Sequence, residues 1–208
     1  VNDGVKVGVE GDIICLSFDG IKNITSGEGG AVITNDENII SFVKDARLLG
    51  VEKDTEKRYE GQRSWDFDVK HQGYRYHMSN IFAAIGREQL KKINSIEKKR
   101  KELVNYYLEN LKDIPQIQTL EFDFKSIISH IFVVKTTKRD ELREFLLSKN
   151  IECGIHYKPN HLLTKYKSDA LPITEKIYEE ILTLPCQLDL VKEEQDFVIN
   201  SIKEFFNA

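Results

Sequence analysis

Two short apolar runs joined by a glycine-rich connection constrain the fold of this chain more than any other feature. The first run covers residues 12–16 and the second covers residues 31–34. Each run has the length of a strand and is bounded by turn-forming residues, so the pattern predicts two strands. Lys22 and the glycine-rich stretch 27–30 lie between them. The connection can therefore present a lysine to a ligand on a rigid scaffold, although a surface lysine on a glycine-rich turn gives the same pattern.

The overall composition is typical of a soluble globular protein, with 40% hydrophobic and 31% charged residues. Thirty Lys and Arg against 34 Asp and Glu give a net charge of −4, which provides no electrostatic reason to expect a nucleic-acid partner. No apolar run approaches the roughly 20 residues of a membrane span, and no secretory signal is visible. Cys15, Cys153 and Cys186 are far apart in the sequence. This spacing favours reduced thiols in a cytoplasmic protein and predicts neither a disulfide framework nor a metal site.

Apolar residues recur at helical spacing in three segments, and each segment is predicted to form a helix. The helices cover residues 39–49, ending at Gly50, residues 78 to about 111, and residues 193–206. Residues 51–72 are highly charged and predict a long loop. Trp65 in this loop either contacts a substrate or anchors the loop.

A strand–helix–strand pattern occupies the second half of the chain. The predicted strands cover residues 127–136 and 151–157, and the helix between them ends near Lys149. A capping box over residues 137–140 is predicted to open that helix. We therefore expect a strand-rich region over residues 1–75, a long connecting helix over residues 76–114 and a small α/β domain over residues 115–208.

Four phrases of the sequence together resemble the DegT/DnrJ/EryC1/StrS family of sugar aminotransferases, which are fold-type I pyridoxal 5'-phosphate (PLP) enzymes. The first phrase covers residues 17–30 and contains Ser17, Lys22 and the run Gly-Glu-Gly-Gly. The second covers residues 73–90 and begins with Gly-Tyr-Arg-Tyr-His-Met-Ser-Asn. The third covers residues 154–161, Gly-Ile-His-Tyr-Lys-Pro-Asn-His, and the fourth is Leu184-Pro185. They follow the family's order and spacing over nearly the whole chain. The resemblance implies an α/β fold: the C-terminal part of the PLP-dependent transferase large domain, joined by a long helix to a smaller C-terminal α/β domain.

By this resemblance, Lys22 would be the catalytic residue and the covalent attachment point of PLP. A primary amine can condense reversibly with the cofactor's aldehyde, and the freed amine can later move a proton. The resemblance also implies that Ser17 donates a hydrogen bond to the cofactor phosphate, a role that suits a small hydroxyl group. A dehydratase variant of the same fold has histidine in place of the lysine, so Lys22 argues against that activity.

Two residues depart from the family's common pattern. Arg75 stands where the pattern has an asparagine that reaches the phosphate in a neighbouring subunit, and His77 stands where the pattern has arginine. An arginine can still bind cofactor phosphate, because its planar fork pairs with phosphate oxygens. Subfamily variation at a dimer surface explains both departures equally well, and both explanations stay open.

The resemblance further implies that His156 and Tyr157 face the active-site cleft and help to bind the sugar nucleotide. An ordinary histidine at a strand end and a half-buried tyrosine are the alternative. His161 belongs to the same phrase, and its implied role in the cleft is weaker.

The function implied by the resemblance is PLP-dependent amino transfer to a nucleotide-linked ketosugar, with glutamate as the expected amino donor. The product would be an amino sugar for polysaccharide biosynthesis or for a glycosylated metabolite, made by a homodimer with shared active sites. The residues that match correspond to the C-terminal half of the family's enzymes, because three cofactor-binding elements precede the segment aligned with Val1. We expect such a chain alone to hold PLP poorly and to be inactive. A non-catalytic remnant that acts as a dimerising or binding module is the alternative.

Overall fold

The structure, a computed structural model, describes residues 11–51 and 67–207. These residues divide into two units, the first ending at Ile93 and the second beginning at Asn94. The boundary between the units therefore falls inside the segment 76–114 that the sequence predicted as a connection. Most of the predicted loop 51–72, with Trp65, lies outside the described residues.

The first unit contains the two predicted strands, which pair antiparallel. β1 covers Ile13–Ser17 and β2 covers Gly30–Thr34. Ser17 lies opposite Gly30. The connection that carries Lys22 therefore leaves β1 and enters β2 at the same end of this sheet. A Cβ atom at Gly30 would lie 2.5 Å from the carbonyl oxygen of Leu16, so the close pairing at this end requires glycine. The prediction that Lys22 lies between two strands is confirmed.

Helix α1 covers Glu37–Ala46 and follows β2 directly. Its first turn is capped by Asp36, whose Oδ1 accepts hydrogen bonds from the backbone N–H groups of Asn38 and Ile39 at 2.8 and 3.3 Å. The sequence predicted that this helix extends to residue 49, but it ends three residues earlier. Gly50 closes the following turn and donates its N–H to the carbonyl of Asp45 at 2.9 Å.

The segment 78–111, predicted as one long helix, forms two helices. α2 covers Asn80–Lys91 and α3 covers Ile93–Leu111. Lys92 separates them, with φ −91° and ψ 0°, and its N–H donates to the carbonyl of Gln89 at 2.9 Å in a tighter turn. The apolar residues keep their helical spacing across this turn, so the sequence pattern could not reveal the break.

The second unit has a three-stranded antiparallel sheet in the order β3–β4–β5. β3 covers Gln118–Thr119, β4 covers Phe132–Lys135 and β5 covers Ile181–Leu184. Helix α4 covers Arg139–Ser148, α5 covers Pro172–Glu180 and α6 covers Lys192–Asn207, with two short 3₁₀ turns at Asn160–Leu162 and Thr164–Tyr166. The predicted C-terminal helix 193–206 is confirmed by α6.

Nearly all of the buried apolar core of the described residues lies in the second unit. Helix α3 packs against the sheet and against helices α4 and α6 in one cluster. The most deeply buried side chains of this cluster include Tyr107, Leu111, Phe132, Leu142, Leu182 and Ile202. By contrast, no apolar residue of β1, β2, α1 or α2 is buried. The second unit thus contains its own hydrophobic core, whereas the described part of the first unit does not.

Two predicted strands in the second half of the chain need correction, and one strand was not predicted. The predicted strand 127–136 is shorter, since only Phe132–Lys135 pairs with other strands. The predicted strand 151–157 is irregular, and only Gly154 pairs there, with Thr183 of β5. The strand that continues this sheet is β5, which the sequence pattern did not predict because α5 and Pro185 adjoin it closely.

The predicted capping box is also wrong. Helix α4 begins at Arg139, its N-cap residue is Lys138, and no side chain caps it. The hydroxyl of Thr136 instead accepts the N–H of Lys138 at 3.3 Å. The box was placed too early because the sequence shows the Thr and Asp residues but not the residue at which the backbone turns helical.

None of the helices in the described part of the chain is long and apolar enough to cross a membrane.

We predict that Leu142→Ala will lower the free energy of unfolding of the second unit by about 2–5 kcal/mol, because it leaves a cavity in the core. Leu142 is 0% exposed. Leu147, on the same helix, is 51% exposed, so Leu147→Ala should change the free energy by no more than about 0.5 kcal/mol. Urea unfolding of both variants measures the difference. Equal effects of the two substitutions would contradict the position of the core.

Candidate active site

Backbone hydrogen bonds hold the connection that carries Lys22 in a defined shape. The N–H of Lys22 donates to the carbonyl of Asp19 at 3.0 Å. Phe18 joins both ends of the connection, since its N–H donates to the carbonyl of Gly29 and its carbonyl accepts the N–H of Ser26, each at 2.9 Å. Lys22 is half-buried on this hydrogen-bonded connection. The arrangement favours a positioned lysine over one on a loose surface turn.

Ser17 lies where β1 enters the connection. It is the last residue of the strand and is exposed. Its Oγ accepts a weak hydrogen bond from the N–H of Asp19 at 3.4 Å, and Asp19 in turn accepts the N–H of Lys22. The structure therefore places Ser17 and Lys22 on one short connection at the same end of the sheet.

The second phrase of the resemblance packs against the first. Gly29 has φ +133°, and a Cβ atom there would lie 2.3 Å from the Cε atom of Met78. Similarly, a Cβ atom at Gly86 in helix α2 would lie 3.4 Å from the Cβ of Ser26. Ser26 is fully buried and its hydroxyl donates to the carbonyl of Glu28 at 2.6 Å. Ser26 thus connects helix α2 to the Lys22 connection, a role the sequence analysis missed because it appears only in three dimensions.

Arg75 lies on an extended segment that runs beside the end of helix α1. It forms an antiparallel bridge with Leu48 and is exposed. The rings of its neighbours Tyr74 and Tyr76 stack with their centroids 5.1 Å apart and their planes 6° apart. Because successive side chains of an extended segment alternate, Arg75 points away from this stacked pair. His77 is also exposed.

In the second unit, His156 and Tyr157 lie on the irregular segment beside β5. Nδ1 of His156 lies 2.8 Å from Oγ1 of Thr183. The two rings meet edge to face, with centroids 4.6 Å apart, and Tyr157 is 63% exposed. This placement suits contact with a ligand and differs from the regular strand end that the sequence predicted.

His161 has a different environment from His156. It is buried, and its Nε2 lies 3.0 Å from Oε1 of Glu175 in helix α5. The hydrogen bond from His161 lowers the pKa of the Glu175 carboxyl below its usual value. Glu175 also accepts the N–H of Leu171 at 2.9 Å, so the pair joins the 3₁₀ segment to the start of α5. We therefore interpret His161 as a structural residue that holds these two segments together.

The two cysteines of the second unit have raised thiol pKa values. Burial raises the pKa of the Cys153 thiol to about 12. Burial also raises the pKa of Cys186, and the neighbouring Arg100 offsets this only in part. Both thiols are therefore protonated at neutral pH, while Cys15 is exposed. Within residues 11–51 and 67–207, no three His, Cys, Asp or Glu side chains are grouped to hold a metal ion.

Comparison with protein families identifies the family. The model of the DegT/DnrJ/EryC1/StrS aminotransferase family matches residues 2–203 of the chain. The chain belongs to this family. The resemblance found from four sequence phrases is thereby confirmed. PLP is the cofactor that aminotransferases of the DegT/DnrJ/EryC1/StrS family use.

Among curated relatives of the same family, the chain is 30% identical over 207 residues to a UDP-4-amino-4,6-dideoxy-N-acetyl-beta-L-altrosamine transaminase of Campylobacter jejuni, covering 95% of this chain and 53% of the relative. It is 32% identical over 216 residues to the uncharacterized protein MJ1066 of Methanocaldococcus jannaschii, covering 97% of this chain and 55% of the relative. The chain thus spans about half the length of the curated relatives that it matches.

Solved structures of DegT/DnrJ/EryC1/StrS relatives share the fold. Helicobacter pylori PseC, an aminotransferase involved in the biosynthesis of pseudoaminic acid, superposes with a TM-score of 0.85 at 27% identity, over 99% of this chain and 56% of PseC. The PLP form of the sugar aminotransferase Spr1654 from Streptococcus pneumoniae, a putative one by its name, superposes with a TM-score of 0.83 at 25% identity, over 98% of this chain and 54% of that chain. These neighbours confirm a mixed α/β fold of the PLP-dependent aminotransferase type.

Proposed function

We propose that this chain forms the lysine-bearing part of a PLP-dependent aminotransferase that acts on a nucleotide-linked ketosugar, with glutamate as amino donor. The observation that carries the proposal is the position of Lys22, half-buried on a hydrogen-bonded connection beside Ser17. The C. jejuni transaminase among the relatives supports this proposal, because its name describes an enzyme for a UDP-linked amino sugar. An amino-sugar product for polysaccharide biosynthesis and a cytoplasmic location are part of this proposal.

The side chains present fit the cofactor's chemistry. Lys22 provides a primary amine, Ser17 a hydroxyl donor and Arg75 an exposed guanidinium. A Cβ atom at Gly20, in the turn before Lys22, would meet no atom of the described residues within 4 Å, so these residues leave open space beside that turn. When bound, PLP would supply an aldehyde for the lysine amine and a ring that withdraws electrons from the reacting carbon.

Each residue has a distinct proposed task. The Nζ atom of Lys22 would hold the cofactor and, once released, would accept and return the proton of the reacting carbon. The hydroxyl of Ser17 would donate a hydrogen bond to a phosphate oxygen, and the exposed Arg75 would reach a phosphate across a homodimer interface with shared active sites. His156 and Tyr157 would bind the sugar nucleotide.

We also propose that the 208 residues do not complete the active site by themselves. The support is the apolar surface of the β1–β2 sheet. Ile13 and Val32, on one face, are 50% and 43% exposed, and Leu16 and Ile33, on the other face, are 43% and 48% exposed. A two-stranded sheet with two apolar faces is rarely stable without further layers. A further polypeptide segment that covers these faces would supply the remaining cofactor contacts.

A dimerising or binding module without catalysis is the second candidate function. The same exposed sheet faces favour it, because exposed apolar surface marks interaction sites. The two candidates differ in what they require of Lys22. Only the aminotransferase needs its amine.

An absorbance titration with PLP separates the two functions. The chain would be studied together with a polypeptide that covers the rest of the relatives' length. We expect the visible absorbance band of a lysine–PLP linkage in the wild type and in Lys91→Ala, an exposed control lysine. The band should be absent in Lys22→Ala. A band of equal strength in Lys22→Ala would refute the assignment of Lys22, and its absence in all three proteins would favour the non-catalytic module.

A further inference from the structure

The imidazole of His156 is held on two sides, by Thr183 of β5 and by the backbone of Gly154. Nδ1 lies 2.8 Å from Oγ1 of Thr183 in β5. The ring also lies over Gly154, because a Cβ atom there would be 2.5 Å from Cε1 of His156. Together these contacts restrict both the position and the rotation of the ring.

Thr183 is well placed to fix the ring because its own position is fixed. It is 7% exposed. Its N–H donates to the carbonyl of Gly154 at 2.7 Å, and its carbonyl accepts the N–H of Gly154 at 3.0 Å. In such a pair the side chains at the two positions lie on the same face of the sheet, and His156, two residues after Gly154, shares that face.

The hydroxyl of Thr183 can serve Nδ1 in either charge state of the imidazole. It donates to Nδ1 when that nitrogen is unprotonated and accepts when it is protonated. Nδ1 is therefore occupied in both states. No residue in the described part of the chain bonds Nε2 of His156, so Nε2 is the ring nitrogen available to a ligand.

Gly154 contributes to the position of the His156 ring because it has no side chain. A Cβ atom there would come within 3.2 Å of Nδ1 and 3.4 Å of Nε2 as well as close to Cε1, so this edge of the ring occupies the space of the missing side chain. The backbone of Gly154 does not lie in the left-handed region. Alanine is thus compatible with the backbone, and the cost of the substitution falls on the position of the ring.

We propose that Thr183 and Gly154 are positioning residues that hold His156 so that its Nε2 is directed to an oxygen of the nucleotide sugar. This proposal rests on the proposed role of His156 in substrate binding. It adds two residues that act through His156 without touching the substrate.

The positioning is tested on the whole chain by NMR of isotope-labelled histidine, at a pH where the ring is neutral. We expect Thr183→Val, which keeps the shape but removes the hydroxyl, to shift the Nδ1 resonance. Thr183→Ser, which restores a hydroxyl, should return it towards the wild-type value. Gly154→Ala should remove the nuclear Overhauser contact between the Cε1 proton of His156 and the α-protons of residue 154. Unchanged Nδ1 resonances in Thr183→Val, or an unchanged contact in Gly154→Ala, would overturn the proposal.

A second arm uses the chain together with a polypeptide that covers the rest of the relatives' length, adds UDP-N-acetylglucosamine as the probe and follows the Nε2 resonance of His156. In the wild type and Thr183→Ser, we expect the probe to shift this resonance. In Thr183→Val, binding should weaken by about fivefold to tenfold, the value of one neutral hydrogen bond. If Thr183 and Gly154 fix the ring but the probe leaves Nε2 unchanged in the wild type, the substrate role of His156 is refuted and the positioning stands. This outcome separates the inference from the proposed function.

Discussion

We expect Lys22→Ala to abolish transamination by the assembled protein. The substitution removes the amine that we propose to hold the cofactor and to move the proton, and positioned proton transfer alone contributes about 10²–10⁴-fold to rate. The loss cannot be divided between the two tasks of this amine, because roles that act together in one mechanism do not have additive effects. The total loss of rate should be at least as large as that of the proton transfer. Single-turnover conversion of PLP to its amino form, with glutamate as donor, measures the rate.

Two variants control this experiment. Lys22→Arg retains the positive charge but has no amine that can condense with an aldehyde, so it should be as inactive as Lys22→Ala. Lys91→Ala removes an exposed lysine that pairs with Glu88 at 2.6 Å, and it should retain the wild-type rate. Activity of Lys22→Arg within tenfold of the wild type would show that charge, and not the amine, is the required property.

The second large effect concerns the chain by itself. We expect the 208 residues alone to show no turnover with PLP and glutamate, and to regain it when the rest of the family's chain is supplied. Each missing charge-assisted hydrogen bond to the cofactor costs about 1.5–3 kcal/mol of binding free energy. Several such hydrogen bonds would be missing together. Turnover at an ordinary enzymatic rate by this chain alone would contradict the proposal that further segments complete the site.

The apolar faces of the β1–β2 sheet provide a structural test of the same prediction. The chain alone should self-associate in sedimentation experiments, because both faces of this sheet expose apolar side chains. Ile33→Asp places a charge on one face and should reduce both self-association and recovery of activity on complementation. Leu147→Asp places the same charge on an exposed site of the second unit and should change neither. A monodisperse wild-type monomer would contradict the association.

The sequence was most informative where local pattern determines structure. β1 and β2 could be predicted because each is a short apolar run bounded by turn residues, and their pairing leaves Lys22 on the connection. The C-terminal helix could be predicted because one side of α6 is buried at regular helical intervals, including Val198, Ile199 and Ile202. The family could be recognised because its phrases keep their order along the chain.

Features that depend on non-local pairing could not be predicted. β5 forms because β4 pairs with it across more than 40 residues, and its four residues alone carry no strand-specific pattern. The segment 151–157 alternates like a strand, yet only Gly154 pairs with β5. The contact between His156 and Thr183 joins residues 27 positions apart. No spacing in the sequence indicates this contact, so Thr183 could not be named as a partner of His156.

The most direct test of the account is to identify the residue that carries the cofactor. The assembled protein would be incubated with PLP and reduced with borohydride, and its peptides would then be mapped by mass spectrometry. We expect a pyridoxyl label on Lys22 and none in the Lys22→Ala variant. A label on a different lysine, with Lys22 unmodified, would contradict the assignment of Lys22 as the attachment point of PLP.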